Sequence, residues 1–237
     1  MLVNVKYSIV IPAYNEEDNL RVLLPAMKKV LAQYLSKLEI IVVDTQRTLD
    51  NTKTVCVENN VKYVNRFPGD YYGDAVRVGI NMSKGEWIMF MDADGSHPPG
   101  FIPYLFEAVN RGCCDVAIAS RYIKGGGSEN NSCLVYMSKL LNIIYARSLR
   151  INCFDISNSF KVYKASLLKS ITLQCGHFDI IEEIICKLSK QNHNLKIVEM
   201  PFTFNKRIYG KSKRKMVVFM ANYFATLIKL IWYRYFQ

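Results

Sequence analysis

No two cysteines in this chain are spaced as CxxC, and their number, seven, is odd. Neither a zinc site nor a disulfide scaffold is expected, and a reducing compartment fits better. No apolar stretch approaches the about 20 residues that a membrane span needs; the charge-free run at 216–228 holds 13. No charged region precedes the short apolar stretch in MLVNVKYSIVIPAYNEE, so a signal peptide is not expected. Internal repeats, an interdomain linker and a nucleic-acid recognition motif are also lacking. Acid is scarce relative to base: 20 Asp and Glu stand against 31 Lys and Arg, a formal charge of +11. So basic a chain calls for an anionic partner, whether nucleic acid, a phosphate-bearing substrate or an acidic membrane surface. Half of the 237 residues are hydrophobic and 22% are charged, which excludes disorder, collagen and a coiled-coil rod. The length suits one domain with a short appendage.

What is present alternates in period. Residues 7–11, 38–43, 61–64, 87–91 and 116–120 are short apolar runs that read as buried strands. Between them, helices are expected over 20–35, 74–82 and 101–110, the first opened by the cap-type residues at 15–19. That alternation predicts a parallel, doubly wound α/β sheet. The second half reads as a glycine loop at 124–132, helices at 134–147, 165–169 and 179–190, strands at 159–163 and 196–200, and a basic loop, KRIYGKSKRK, at 206–215.

Open α/β sheets bind ligands at the carboxyl ends of their strands. Two strands here end in acid, one at Asp44 and one at the pair Asp92 and Asp94 of FMDADGSHPPG. Such a pair on a turn lets two carboxylates converge on Mg²⁺ or Mn²⁺, which fills its shell with phosphate oxygens and water and neutralises a leaving diphosphate. The competing reading is a pair of Asx turns before Pro98 and Pro99. His97 is either a third ligand or a polar turn residue. Glu182 and Glu183 open a helix, where acids complement the dipole, and read as structural.

Several motifs then fall in order. SIVIPAYNEEDNL, MDADGSHPP, ASRYIKGGG, DISNSFKVYKASLL and EMPFTFNKRIYGKSK resemble the dolichyl-phosphate mannose synthase-like branch of the inverting, GT-A-fold glycosyltransferase family 2, over about residues 6–215. The resemblance implies a mostly parallel sheet with helices on both faces, a nucleotide-sugar donor, Mg²⁺ or Mn²⁺, and a polyprenyl-phosphate acceptor. By position, Pro12, Tyr14, Glu16, Asp44 and Ala93 would line the nucleotide, and Asp92 and Asp94 would take the metal and diphosphate. Arg121, Arg207 and Lys213 would handle phosphates of donor or acceptor, Lys139 would face the acceptor phosphate, and Asp155 would border the acceptor. The catalytic set implied is Asp94, Asp155 and Arg207. The first guess for the reaction is mannose from GDP-mannose to dolichyl phosphate. UDP-glucose as donor, a hydroxyl acceptor, and a non-catalytic lipid- or nucleotide-sugar-binding role are the alternatives. The chain departs from the branch at DTQRTLDNT, which is one residue longer than the usual turn and has Thr45 and Asn51 in place of Asp and Gly. It departs again at Cys133 and Leu134, where relatives carry basic residues, and at Gly95, where they carry an apolar one.

The chemistry of an inverting transfer asks for a stabilised leaving group and a nucleophile. A hydroxyl nucleophile needs a general base, for which Asp155 is the candidate. A phosphate monoester, with its second pKa near ~6, is already anionic at neutral pH and needs cations instead. The basic loop offers Lys206, Arg207, Lys211, Lys213, Arg214 and Lys215 for this. The catalytic domain is expected to span 1–215. Residues 216–237 are expected to form an apolar, aromatic, amphipathic helix lying at a membrane interface, with the alternative of a helix packed on protein. The resulting placement is peripheral, on the cytoplasmic side of a membrane, with no nucleic-acid partner.

Overall fold

The computed structural model describes residues 5–206 and 216–236, with the side chains of the last helix described from Tyr223 onward. The loop residues Arg207 and Lys213 lie outside the described residues. The elements in order are β1 (Tyr7–Pro12), α1 (Glu17–Val30), β2 (Leu38–Asp44), α2 (Thr52–Glu58), β3 (Lys62–Asn65), α3 (Tyr72–Met82), β4 (Trp87–Phe90), α4 (Ile102–Asn110), β5 (Val116–Ser120), β6 (Gly127–Ser128), α5 (Ser132–Ser148), β7 (Lys161–Lys164), α6 (Ala165–Leu168), α7 (Ile180–Gln191), β8 (Ile197–Pro201), β9 (Thr203–Phe204) and α8 (Met216–Phe236). Seven strands make one sheet in the order β3-β2-β1-β4-β7-β5-β8, and β6 pairs with β9 apart from it.

Side chains alternate across a strand, and β1 shows the result. Val10 joins one core with α3, α5, α7 and α8, while Ile9 and Ile11 join the other with α1, α2 and α4. Helices therefore cover both faces, which is why the strands read as continuous apolar runs. One strand breaks the parallel pattern: β7 runs antiparallel to both β4 and β5. It enters at their carboxyl end, with Lys161 opposite Phe90 and Ile118. The segment before it, residues 153–159, is thereby laid along the ligand edge of the sheet.

Three local expectations shift. The helix expected over 20–35 ends at Val30 and tightens into a 3₁₀ turn, Ala32–Lys37. A short helix, α2, follows the turn after β2 and seals Val55 and Cys56 into the core. Part of the glycine loop is strand β6, recruited by β9.

Helix α8 packs on the domain. Tyr223, Leu227 and Leu230 are buried in the same core as α7, and the Tyr145 hydroxyl donates to the Tyr223 carbonyl at 2.6 Å. Its opposite side leaves Phe224, Ile228, Trp232 and Phe236 exposed. Among the described residues no helix is long and apolar enough to cross a membrane. All seven cysteines are free thiols.

Candidate active site

Strand β4 delivers Asp92 and Asp94 to the carboxyl edge of the sheet through a turn in which Gly95 has φ +82°, a backbone region that suits glycine. The turn is internally tied. Ser96 donates its N–H (3.0 Å) and hydroxyl (2.5 Å) to Asp94 Oδ1, and the Ser159 hydroxyl donates to Asp92 Oδ1 at 3.1 Å. His97 is fully buried, stacked on Phe160 with ring centroids 4.6 Å apart, and its Nδ1 accepts the Asp92 N–H at 2.9 Å. Burial lowers its pKa, so the ring is neutral and its proton sits on Nε2. His97 is thus a brace under the acidic turn, with Nδ1 committed to the backbone. Among the described residues no three His, Cys, Asp or Glu side chains gather to hold a metal. Two carboxylates suit Mg²⁺ or Mn²⁺ when phosphate and water supply the other ligands.

On the nucleotide side, Pro12 and Asp44 end adjacent parallel strands. Asp44 is fully buried and accepts from the Thr45 N–H (2.8 Å) and the Tyr63 hydroxyl (3.0 Å). Burial raises its pKa, and these two hydrogen bonds work against that rise. Tyr14 is exposed beside this edge, and Glu16 accepts from Asn19 at 2.6 Å. The lengthened turn is closed by its own acids: Asp50 accepts from the N–H groups of Thr52 and Glu17, and Glu17 accepts from that of Asn51 at 3.0 Å.

Arg66, which no sequence signal singles out, underlies this side. Its buried guanidinium donates to the carbonyls of Ala13, Asp44, Asp70 and Tyr71, binding the ends of β1, β2 and β3 into one unit. Lys161 plays a similar part further along. Its buried ammonium donates to the carbonyls of Ile156 and Asn158, each at 2.5 Å. Both cations gather several backbone carbonyls around one buried charge, which gives the charge its hydrogen-bond partners away from water.

At the end of β5, Arg121 meets Asp155. Nε donates to Oδ2 at 2.8 Å, Nη2 to Oδ1 at 2.7 Å, and the Arg121 N–H to Oδ2 at 2.8 Å. Asp155 is 0% exposed and the Arg121 side chain 12%. Burial alone would lower the Arg121 pKa, but the charge and hydrogen bonds of Asp155 outweigh it and the net shift is upward. The pair is held from three directions. Glu199 accepts the N–H groups of Phe154 and Asp155, Asn142 of α5 exchanges two hydrogen bonds with Ser157, and Arg121 Nη2 also reaches Ser157 at 3.0 Å. Lys139 is exposed on α5, one turn before Asn142. The loop before β6 roofs this corner so tightly that a Cβ on Gly126 would stand 2.5 Å from the Ser120 carbonyl oxygen. From the other side, the Asn205 N–H donates to the Ser96 carbonyl at 3.2 Å, bringing the segment after β9 over the acidic turn.

Pro12, Asp44, Asp92, Asp94, Arg121 and Asp155 thus share one edge of the sheet. A parallel sheet with one inserted antiparallel strand, helices on both faces and paired acids at the carboxyl end of β4 is the GT-A class of α/β protein. Solved structures share this architecture. The chain overlays glucosyl-3-phosphoglycerate synthase from Mycobacterium tuberculosis, in complex with Mn²⁺, uridine diphosphate and glucosyl-3-phosphoglycerate, with a TM-score of 0.72, 17% identity, and coverage of 97% of this chain and 80% of that one. The same enzyme with Mg²⁺ and uridine diphosphate gives 0.73 at 16% identity, covering 97% and 79%.

The model of the family named Glycosyl transferase family 2 matches residues 8–172, and the chain belongs to that family. It is 35% identical over 219 residues to a dolichol-phosphate mannosyltransferase from Pyrococcus furiosus, covering 89% of this chain but 59% of that relative's length. A polyprenol monophosphomannose synthase from Mycolicibacterium smegmatis is 29% identical, covering 86% of this chain and 79% of the relative. A dolichol-phosphate mannosyltransferase from Saccharomyces cerevisiae is 28% identical, covering 89% and 81%.

Proposed function

We propose that this protein transfers a single hexose, with inversion, from a nucleotide-diphosphate sugar to a polyprenyl phosphate. The observation that carries the acceptor class is the state of Asp155. Both of its oxygens are taken by Arg121, and it has no exposed surface. A hydroxyl acceptor would need a free general base at this corner, and Asp155 is engaged as the partner of an arginine. A phosphate acceptor needs no base, only cations that hold it. Asp155 then acts through Arg121. It fixes Nε and Nη2, so that Nη1, which has no hydrogen-bond partner among the described residues, is the nitrogen offered to a phosphate oxygen. Lys139, Arg207 and Lys213 complete the cationic lining in this reading.

Asp92 and Asp94 would hold Mg²⁺ or Mn²⁺, which supplies Lewis-acid neutralisation of the departing diphosphate when bound. Ser159 and Ser96 hold the carboxylates of Asp92 and Asp94 in turn, and His97 holds the backbone beneath them. Asp44, with Pro12, Tyr14, Glu16 and Ala93, lines the nucleotide. The names of the relatives support mannose as the sugar, and GDP-mannose is the first donor reading. UDP-glucose is the second donor reading, left open by the lengthened turn after Asp44. The exposed apolar side of α8 would rest on the cytoplasmic face of a membrane and bring the lipid acceptor to the site.

The test is transfer from labelled GDP-mannose or UDP-glucose to a short-chain polyprenyl phosphate in detergent with Mn²⁺. Asp92→Ala and Asp94→Ala are each expected to abolish transfer. Arg207→Ala should raise the KM for the lipid phosphate more than that for the donor. Transfer to a saccharide hydroxyl but not to the lipid phosphate would overturn the acceptor assignment, and undiminished transfer in both aspartate variants would overturn the metal assignment.

A further inference from the structure

A cavity of about 330 Å³ lies between α7, α8 and the segment after α6, separate from the residues of the candidate active site. Its walls include Thr172, Glu183, Lys187, Lys229, Trp232 and Tyr233. Glu183, the acid among them, is already neutralised. It accepts the N–H groups of Gln174 and Cys175 and pairs with Lys187 Nζ at 2.7 Å. Lys187 and Lys190 both stand over the Tyr233 ring, at 5.2 and 4.4 Å from its centroid. Lys229 is exposed and has no acidic partner among the described residues. The cavity and its rim therefore carry a surplus of positive charge.

The position of this charge names its ligand. Trp232 both lines the cavity and belongs to the exposed apolar side of α8, where Ile228 is 70% and Trp232 53% exposed. Lys229 and Tyr233 lie one flank further round the same helix, toward the lysines of α7. A soluble anion would need no apolar border. A lipid headgroup does, because its phosphate must be met where its chains leave the protein, at a boundary of aromatic and basic side chains. We propose that this cavity seats the phosphate of an acidic phospholipid headgroup, with Lys229 as its principal cation and Trp232 at the level of the glycerol backbone. The site rests on the membrane-side reading of α8 and does not depend on the sugar-transfer chemistry.

The experiment is partitioning of the full chain onto phosphatidylcholine vesicles with and without about 20% phosphatidylglycerol. Wild type should favour the acidic vesicles, and Lys229→Glu should remove about tenfold of that preference while leaving binding to pure phosphatidylcholine intact. Ile228→Ser should weaken binding to both. A remote charge reversal, Lys29→Glu on α1, should change neither by more than a small factor. An equal loss in Lys29→Glu and Lys229→Glu would show diffuse attraction only and overturn the site, as would the absence of any preference for acidic vesicles. Glycerol phosphate raising the melting temperature as much as the acidic vesicles do would reassign the cavity to a soluble anion and overturn the lipid assignment. Failure to bind any vesicle would overturn this site together with the membrane role of α8, while transfer in detergent, measured on the same preparations, judges the catalytic reading separately.

Discussion

Individual side chains set the electrostatics of this protein by burial more than by surface charge. Glu182 is the sharpest case. It sits fully buried on α7, accepts a hydrogen bond from Tyr223, and leaves Oε2 without a partner. Burial pushes its pKa up to about 7, against the opposing pull of Tyr223 and of the buried ammonium of Lys161. An acid whose folded pKa lies above its unfolded value binds its proton more tightly in the fold. Stability from this group is therefore present at low pH and lost as pH rises from the ordinary carboxylate range towards neutrality. The loss should be about 3 kcal/mol between pH ~4.5 and ~7.5. Urea unfolding at a series of pH values should show that decline in the wild type and a flatter curve in Glu182→Gln. Parallel curves in the two proteins would contradict the assignment.

At the scale of elements, α8 is the part whose role changes most between pattern and fold. Its apolar residues divide into two sets. Tyr223, Leu227 and Leu230 fill the core shared with α7, and Thr226 donates to Asp179 at 2.7 Å. Phe224, Ile228 and Trp232 face outward. Truncating the inner set opens a cavity, whereas truncating the outer set removes surface already in solvent. Leu230→Ala should cost about 2–5 kcal/mol, and Ile228→Ser no more than about 0.5 kcal/mol. Chemical denaturation of the two variants checks this, and equal costs would place the helix off the domain. Strand β7 makes a similar point at the sheet. Its reversed direction is what carries Asp155 and Ser159 to the ligand edge, since a parallel strand would have begun at the opposite end.

For the molecule as a whole, the net charge of +11 and the acidic turn at β4 work in opposite senses. On the proposed reading the surface would gather anions, and the two aspartates would admit one only together with a divalent cation. A nucleoside diphosphate with Mn²⁺ should therefore raise the melting temperature of the native protein, by an amount that grows with the logarithm of ligand concentration. Neither component alone should match it, and Asp92→Ala should erase the shift. A nucleotide shift of full size without metal, retained in Asp92→Ala, would remove the turn from the donor site.

Much of this was legible along the chain. All seven strands of the sheet, most of the helices between them, and the acids at the ends of β2 and β4 follow from apolar periodicity and from short motifs, because those signals are local. The segments that escaped are set by partners far away in sequence. Helix α2 exists because Val55 and Cys56 close a core built by others, and the pairing of β6 with β9 joins residues more than seventy positions apart. The roles of Arg66, Lys161 and His97 were hidden for the same reason, since each serves carbonyls or an N–H supplied by the folded backbone around it.

The amino-acid order alone determined the class of fold and the acidic turn, because hydrophobic period and motif spacing act over a few residues. Tertiary structure alone decided that Asp155 is the buried partner of Arg121 and that α8 has one side in the core and one in solvent. Charge pairing and burial depend on what the remainder of the chain brings alongside, and no local pattern records that.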